Sequence, residues 1–417
     1  MRENGQRNAI ALGAAANKTA TILMGTVMAI YIGRNGGSPL AVGLVYSVYW
    51  AGLMLFAPVW GAVADATGRR RAVLAVTAVF ATAATAPLVF SHGIERMVGF
   101  RGLYAVFAAG FLPVMLTIVN QRGGESTRGR ALGFFNSATA VGLMAGQFFS
   151  GVLIDFFRPD RVFLVIAGTS VLVVVSVAGI RDSTAEYHHE VSLSTLLGEV
   201  RNRLYPLTGD TEYLRRNGLQ WLYVAVFLRN LTVLGISGVL PVYLVSKVGV
   251  STFLMGVLLA INPVAQVAFM YVLGRISDHI GRKPLIVVGA ISSGVYATVL
   301  AVATVPSSLA GRVVVATVGF LLLAGGFSAL MTGTIAFIGD IAPVEHESEL
   351  IGLRQTARGL GGAVGPVVLG TLATVAGYSV AFAVGGLLSL AAAVAVASHL
   401  VESHTGTELR KRVVDLD

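Results

Sequence analysis

The segment "GRISDHIGRKP" (Gly274–Pro284) places one acid and three bases within eleven residues of a chain that is 55% hydrophobic. The segment "GAVADATGRRR" (Gly61–Arg71) has the same outline in the first half of the chain. Each copy begins with a glycine, has an aspartate four residues later, and then has a glycine followed by two bases. A charged pattern that recurs in an apolar chain indicates an internal duplication.

The composition around these two segments is typical of a membrane protein. Mean hydropathy is +0.77 and only 12% of residues are charged, whereas soluble proteins carry about 25%. Apolar stretches long enough to cross a hydrocarbon core of about 30 Å recur along the chain, and a bilayer favours helices because they satisfy their own backbone groups. We therefore predict twelve transmembrane helices: Ala9–Gly33, Leu40–Ala64, Ala72–Phe90, Val98–Asn120, Ala131–Ile154, Val162–Ile180, Leu219–Val245, Phe253–Leu273, Leu285–Val305, Val313–Ile338, Leu350–Val375 and Ser379–Leu400.

The longest loop, Arg181 to Gly218, divides these helices six and six. We predict an N-terminal six-helix bundle (1–180), a cytoplasmic linker (181–218), a C-terminal six-helix bundle (219–401) and a cytoplasmic tail (402–417). Within the linker, "VSLSTLLGEVRNRL" places its apolar residues largely on one helical face, which predicts a helix lying on the membrane surface.

The distribution of charge predicts orientation and excludes one class of function. Most Lys and Arg residues fall in the loops and tails on the same side as Met1, a bias typical of cytoplasmic loops. We expect a multi-pass protein of the cell membrane with both termini cytoplasmic. This pattern accounts for the net charge of +9 without nucleic-acid binding. The chain has no cysteine, which excludes disulfides and thiol catalysis.

A second duplicated segment supports two halves of the same orientation. "RALGFFNSATAVGLMAGQFFSG" (Arg130–Gly151) aligns with "ELIGLRQTARGLGGAVGPVVLG" (Glu349–Gly370) so that their glycines coincide. Small residues at such spacing let membrane helices pack closely, and we assign this role to Gly142, Gly146, Gly361, Gly365 and Pro366. Parallel repeats place a substrate site near the membrane midplane and expose it alternately to each side.

These segments resemble the major facilitator superfamily over nearly the whole chain. The family's loop signature is matched by Gly61, Asp65, Gly68, Arg69 and Arg70, and again by Gly274, Asp278, Gly281, Arg282 and Lys283. The eleventh helix carries a G-x-x-x-G-P pattern, whereas Gln147 stands where efflux members of the family usually have proline.

The resemblance implies a fold of twelve helices in two parallel six-helix bundles, and a cytoplasmic gate. In the family, charged contacts of the signature loops hold the cytoplasmic side shut, so breaking them shifts the conformational equilibrium. The alternative is that these charges only set topology. The predicted gate comprises the ten signature residues together with Glu125 and Arg128.

Deep within the predicted membrane region only cations remain. All 21 acidic residues fall in loops, tails or helix ends, whereas Lys18 and Arg229 lie about ten residues into the first and seventh helices, near the midplane. A central cation is costly and calls for compensation. Three interpretations stay open: satisfaction by neighbours such as Asn17 and Asn230, binding of an anionic group in a central cavity, and proton carriage by Lys18.

Further candidates for the cavity follow from position. Arg101 resembles the family's fourth-helix arginine, which is implicated in proton coupling, and an anchor at the outer interface is its alternative role. Arg354 and Arg358 lie in the first turns of the eleventh helix. They could anchor the helix to lipid phosphates, and a role in the cavity is the alternative for Arg358. The remaining candidates are Thr21, Tyr46, Trp50, Asn136, Asn262 and Gln266.

We therefore expect a secondary active transporter that moves a small organic solute with an anionic group by alternating access. A proton or exchange gradient supplies the energy, since the sequence shows no ATP-binding segment. The alternatives are proton-coupled export of drugs and, less favoured, lipid translocation. No enzyme motif, metal site or cofactor is expected, and the partners are the substrate, a proton or counter-substrate, and the lipid bilayer around a functional monomer.

Overall fold

The computed structural model describes residues 2–90, 93–181, 198, 200–201, 217–342 and 346–403. These residues are almost entirely helical. The twelve long helices are α1 (Arg2–Arg34), α2 (Pro39–Thr67), α3 (Arg70–Thr85), α4 (Ile94–Ala108), α5 (Phe111–Phe156), α6 (Pro159–Ala178), α7 (Leu219–Tyr243), α8 (Thr252–Ile280), α9 (Lys283–Ala301), α10 (Leu309–Ile341), α11 (Glu347–Ala376) and α12 (Tyr378–His399). A 3₁₀ turn (Ala86–Phe90) continues α3, and a π-helical turn (Leu244–Val248) continues α7.

Helix ends follow the local sequence. The Ser38 hydroxyl accepts a hydrogen bond from the Ala41 amide at 3.2 Å and so caps α2, which begins with Pro39. Gly68, at φ +63°, ends α2, and Gly281, at φ +90°, follows α8. Glycine adopts this left-handed conformation without steric cost, so the second glycine of each signature loop marks the turn between two helices.

The predicted helical membrane fold is confirmed. Eleven helical segments in the described part of the chain are long and apolar enough to cross a membrane. The first helix is present over Arg2–Arg34 but is not among these eleven, and its polar residues Asn17 and Lys18 lower its hydropathy.

The fourth and fifth predicted spans are present as Ile94–Arg122 and Gly129–Phe156, but the segment that connects them is helical and not a loop. Instead of a loop after Asn120, α5 runs without interruption from Phe111 to Phe156 and joins two apolar spans, Ile94–Arg122 and Gly129–Phe156. The helix is interrupted earlier, at Ala109–Gly110, between α4 and α5. Pro113 explains this break, because proline lacks the amide hydrogen and its ring crowds the carbonyl four residues before it, at Ala109.

The chain forms two compact units. The first contains α1–α6 and the segment Ser251–Ala260, and the second contains α7, the remainder of α8 and α9–α12. Inside the first unit α1 packs on α5 and α6, while α3 packs on α4 and α6; inside the second, α7 packs on α11 and α12, while α9 packs on α10 and α12. The two units therefore share one internal packing scheme.

The start of α8 packs with the first unit, although the sequence places this helix in the second half. The Asp155 carboxylate at the end of α5 accepts hydrogen bonds from the Phe253 amide at 2.9 Å and from the Thr252 hydroxyl. Gly151 and Gly256 bring the two backbones together, since a Cβ on Gly256 would lie 3.0 Å from the Gly151 Cα. A carboxylate at a helix N-terminus satisfies otherwise unpaired amides, so Asp155 caps α8.

Two predicted segments lie outside the described residues. The predicted linker helix falls there apart from residues 198, 200 and 201, and so does the tail from residue 404 onward.

Candidate substrate-binding residues

Arg229 is a deeply buried predicted site residue of the second unit. Its side chain is 3% exposed, on the middle of α7. Its Nε donates to the Ser293 hydroxyl of α9 at 3.0 Å, its Nη1 contacts the Asn230 side-chain oxygen at 3.4 Å, and its guanidinium lies 5.6 Å from the Phe327 ring centre. Its Nη2 has no hydrogen-bond partner among the described residues. Arg229 is therefore held by neutral groups alone.

Two further arginines of α11 act on the same region. Arg354 is buried, donates to the Thr334 hydroxyl at 3.0 Å and contacts the Met331 sulfur. Arg358 is half-buried. Both are close enough to repel Arg229 electrostatically. Neither Arg229 nor Arg354 forms an ion pair with a described residue, so the second unit concentrates positive charge without a compensating carboxylate at these two side chains. We call Arg229, Arg354 and Arg358 the arginine cluster.

No acidic side chain lies in the middle of a candidate span in the described part of the chain. The acidic residues that occur in the eleven candidate spans stand at or near a span end: Asp65, Glu95, Asp155, Asp340 and Glu349. Burying an unpaired charge costs several kcal/mol. The burial of Arg229 and Arg354 is therefore costly to the fold.

Glycines on α11 bring it against the helix that carries Arg229. A Cβ on Gly361 would lie 2.8 Å from the Leu231 amide nitrogen and from the Phe227 carbonyl oxygen. A Cβ on Gly365 would lie 3.0 Å from the Leu231 Cα and closer still to its carbonyl oxygen. Only glycine permits this approach, which places Arg229 at the contact between α7 and α11. On α5, Gly142 and Gly146 face α1 in the same manner, and Pro366 is buried within α11.

The first unit holds a second buried cation, Arg101 of α4, which is 2% exposed. Its guanidinium lies 4.2 Å from the Tyr49 ring centre and 5.4 Å from the Tyr104 ring centre. Its Nη2 donates to the Thr21 carbonyl oxygen at 3.3 Å, while Nε and Nη1 have no partner among the described residues. Aromatic faces attract cations, so tyrosines take the place that a carboxylate would occupy. Tyr46 lies nearby, against Gly25.

The other predicted residues of the first unit are distributed along α1, α2 and α5. The Thr21 hydroxyl bonds to the Tyr104 hydroxyl at 2.9 Å, and Lys18, one turn earlier, is half-buried. Asn17 lines a small internal cavity that also includes Ser170. Trp50 packs edge-on against Tyr49, whereas Asn136 is exposed and is not brought to Arg101.

Asn262 and Gln266 lie together on α8 in the second unit. The Gln266 amide donates to the Asn262 side-chain oxygen at 3.0 Å, one helical turn apart, and both residues are half-buried. No described hydrogen bond joins them to the arginine cluster.

The first signature loop forms a modest set of contacts. Asp65 and Arg70 approach at 3.4 Å, and Arg70 also donates to the Gln121 side chain at 2.7 Å. Gly61 is buried and Arg69 is exposed. The side chains of Glu125 and Arg128 lie outside the described residues.

The second signature loop is held more firmly, by acids that the sequence did not single out. Arg282 pairs with Asp340 of α10 at 3.0 Å and donates to the Ser277 carbonyl oxygen at 2.7 Å. The Glu402 carboxylate accepts from the amides of Arg282 and Lys283 at 2.9 and 3.0 Å, which caps α9. Gly274 has open space around it, and the Asp278 side chain lies outside the described residues. The roles assigned to both loops stay predictions.

Sequence reasoning missed several neighbours of the two buried arginines. Tyr104 stands three residues after Arg101, a helical spacing that could have indicated a contact. Ser293, Tyr296 and Phe327 lie on helices remote in sequence from Arg229, so helical spacing could not have predicted their contacts with it.

Twelve helices in two units with the same internal packing, eleven helical segments long and apolar enough to cross a membrane, and arginines buried within such segments define a helical membrane protein built from two similar halves. The family-wide sequence pattern described as "Major Facilitator Superfamily" matches residues 10–325 and, in a second match, 222–414. The chain therefore belongs to the major facilitator superfamily, as its signature loops predicted.

Individual relatives agree with this assignment. The "Multi-drug resistance efflux pump PmrA" of Streptococcus pneumoniae is 26% identical over 350 residues, 82% of this chain and 81% of the pump. The crystal structure of the nucleoside transporter NupG superposes with a TM-score of 0.74 at 13% identity, covering 95% of this chain and 98% of that one. A D-xylose–proton symporter gives 0.72 at 15% identity, with 97% and 99% covered. The protein is a multi-pass membrane transporter with a small-molecule substrate.

Proposed function

We propose that this transporter moves a small organic solute carrying an anionic group, and that the arginine cluster binds that group. The observation that carries the proposal is the burial of Arg229 beside Arg354 and Arg358 with no ion-pair partner for Arg229. A bound anion compensates this charge, and the guanidinium nitrogens suit carboxylate and phosphate oxygens.

We further propose transport by alternating access, driven by a proton or exchange gradient, by a functional monomer in the cell membrane with both termini cytoplasmic. The signature loops bias the equilibrium between inward-facing and outward-facing states. Lys18 and Arg101 are the candidates for proton coupling, because both are basic and lie within helices of the first unit.

The test is a thermal-shift screen of the purified protein in detergent with organic anions such as benzoate and glycerol phosphate, and with cationic drugs such as ethidium. A ligand at one hundred times its Kd stabilises by about 2.7 kcal/mol, which is measurable. We expect an organic anion to raise the Tm of wild type and not that of Arg229→Gln. The matched control is Arg312→Gln, since Arg312 donates to the Pro306 and Val248 carbonyl oxygens and should leave the response intact. An equal response of wild type and Arg229→Gln to every anion would overturn the proposal.

Drug efflux is the second candidate, and the relative named as a multidrug efflux pump favours it. The lack of a carboxylate in the middle of any candidate span of the described chain weighs against it, because such a group attracts cationic drugs. Expression in a drug-sensitised host separates the candidates: efflux predicts growth at dye or antibiotic concentrations that stop the host alone. Thermal stabilisation by ethidium but by no anion would make efflux the better explanation.

A further inference from the structure

Three side-chain polar atoms of the second unit are buried without a hydrogen-bond partner among the described residues: Nη2 of Arg229, the hydroxyl of Tyr296 on α9 and the hydroxyl of Ser328 on α10. The first two concern the same region around Arg229. Tyr296 is 0% exposed. Buried polar groups are paired in the great majority of cases, so two unpaired groups in one region call for an explanation.

The geometry brings these two groups to the same place. Ser293, one helical turn before Tyr296 on α9, accepts the hydrogen bond from Arg229 Nε. Residues three apart share a helix face, so the phenol lies on the side of α9 that Arg229 contacts. The Tyr296 phenol is also within electrostatic range of the guanidinium.

The hydrogen bonds of Arg229 leave one nitrogen for a ligand. Ser293 occupies Nε, Asn230 contacts Nη1 at a long 3.4 Å, and Nη2 alone is unengaged. Each terminal nitrogen of a guanidinium carries two N–H groups, so Nη2 keeps both of its donors for an anion, and the Tyr296 hydroxyl can supply a further one.

We propose that Tyr296 completes the anion site: its hydroxyl and Nη2 of Arg229 together donate hydrogen bonds to one anion. This inference adds to the proposed anion site a residue that determines affinity. Where the anion is an organic substrate, the inference rests on the proposed function. These two donors could bind either the anionic group of a substrate or a resident inorganic anion such as chloride or phosphate. The experiment therefore tests an organic anion and inorganic anions separately.

The geometry also predicts how substitutions at Arg229 rank. A lysine ammonium keeps the positive charge as a point charge but lacks the planar set of donors, so it retains part of the affinity. We expect the Kd to rise in the order wild type, Arg229→Lys, Arg229→Gln.

The decisive variant is Tyr296→Phe, which removes one oxygen atom and preserves the ring. Its matched control is Tyr243→Phe, since the Tyr243 hydroxyl already donates to the Leu300 carbonyl oxygen at 2.6 Å. Full-length protein is titrated with benzoate, inorganic phosphate and chloride by calorimetry, and the Tm without ligand is measured in parallel.

We expect Tyr296→Phe to weaken anion binding about tenfold or more, because a hydrogen bond to a charged group is lost. Its ligand-free Tm should equal or exceed that of wild type, because the lost hydroxyl was buried and unpaired. Tyr243→Phe should show the opposite pattern, a lower ligand-free Tm and an unchanged Kd. A merely structural Tyr296 would lower the Tm and leave the Kd alone.

The outcomes separate this inference from the proposed function. If Arg229→Gln loses benzoate binding and Tyr296→Phe does not, the role of Tyr296 is refuted while the proposed function stands. If wild type binds only chloride or phosphate and Tyr296→Phe weakens that binding, the anion site is supported and the organic substrate is refuted. If wild type binds none of the three anions, both are overturned.

Discussion

Substitution of Gly365 by alanine should separate the two helices on which the arginine cluster stands. Gly365 is buried where α11 crosses α7, and the new Cβ would meet the Leu231 backbone, with its Cα at 3.0 Å and its carbonyl oxygen closer. A backbone cannot rotate away as a flexible side chain can, so α7 or α11 must move. Because Leu231 is two residues from Arg229, this movement should also displace the guanidinium.

The chain offers a matched control in the same helix. Gly352 is exposed on α11, and a Cβ there would meet nothing within 4 Å. Both substitutions gain about 0.5–1 kcal/mol, because alanine is favoured over glycine inside a helix. Only Gly365→Ala also incurs the overpacking cost, typically about 1–3 kcal/mol.

The expected difference between the two variants is therefore about 1–3 kcal/mol, with Gly352→Ala the more stable. At about 2–4 °C per kcal/mol for a unit of this size, thermal unfolding in one detergent should show Gly352→Ala at or above wild type and Gly365→Ala several degrees below Gly352→Ala. Equal Tm values for the two variants would refute the close approach of α7 and α11, and with it the placement of Arg229.

Three further substitutions test the charged contacts, each by the Tm of the purified protein without ligand. Arg229→Leu should raise the Tm, because a buried charge without an ion-pair partner is removed. Its control, Arg312→Leu, should lower the Tm. A lower Tm for Arg229→Leu would show that the charge of Arg229 is compensated. Asp155→Ala should destabilise by about 0.5–2 kcal/mol through loss of the α8 cap, and an unchanged Tm would contradict that cap. Asp340→Asn should destabilise by about 1–3 kcal/mol, because the pairing of the Arg282 guanidinium with this carboxylate at 3.0 Å is weakened, and a neutral result would place the stability of the loop elsewhere.

The sequence was sufficient for the helices because each depends on local information. Apolar length gave the spans, and the glycines of the two signature loops marked the turns that Gly68 and Gly281 make. The segment after Asn120 is the exception, because its polar residues separate two spans as predicted but form helix instead of a loop. The interruption of the helix at Ala109, four residues before Pro113, was not predicted, because hydropathy does not register the effect of proline.

The candidate site was less accessible to such reasoning, because its contacts join remote parts of the chain. Arg229 and Arg101 were noticed because a charge in an apolar stretch is visible locally. Their partners are ordinary polar or aromatic residues with no local mark, such as Ser293 on α9 and Tyr49 on α2. Asp340, the counter-charge of Arg282, was read only as an acid at a helix end.

The cost of burying Arg229 links the stability of this protein to its proposed activity. Under the proposed function, the guanidinium without a ligand should lower the stability of the second unit, and an anion that binds it should return that free energy as affinity. A ligand shifts a conformational equilibrium only by its difference in affinity for the two states. If the arginine cluster is buried to this degree in one conformational state and hydrated in the other, an anion should bind more tightly to the state in which the charge is buried. The same substitution, Arg229→Leu, should therefore raise the ligand-free Tm and abolish stabilisation by anions, two effects that a purely structural arginine cannot produce together.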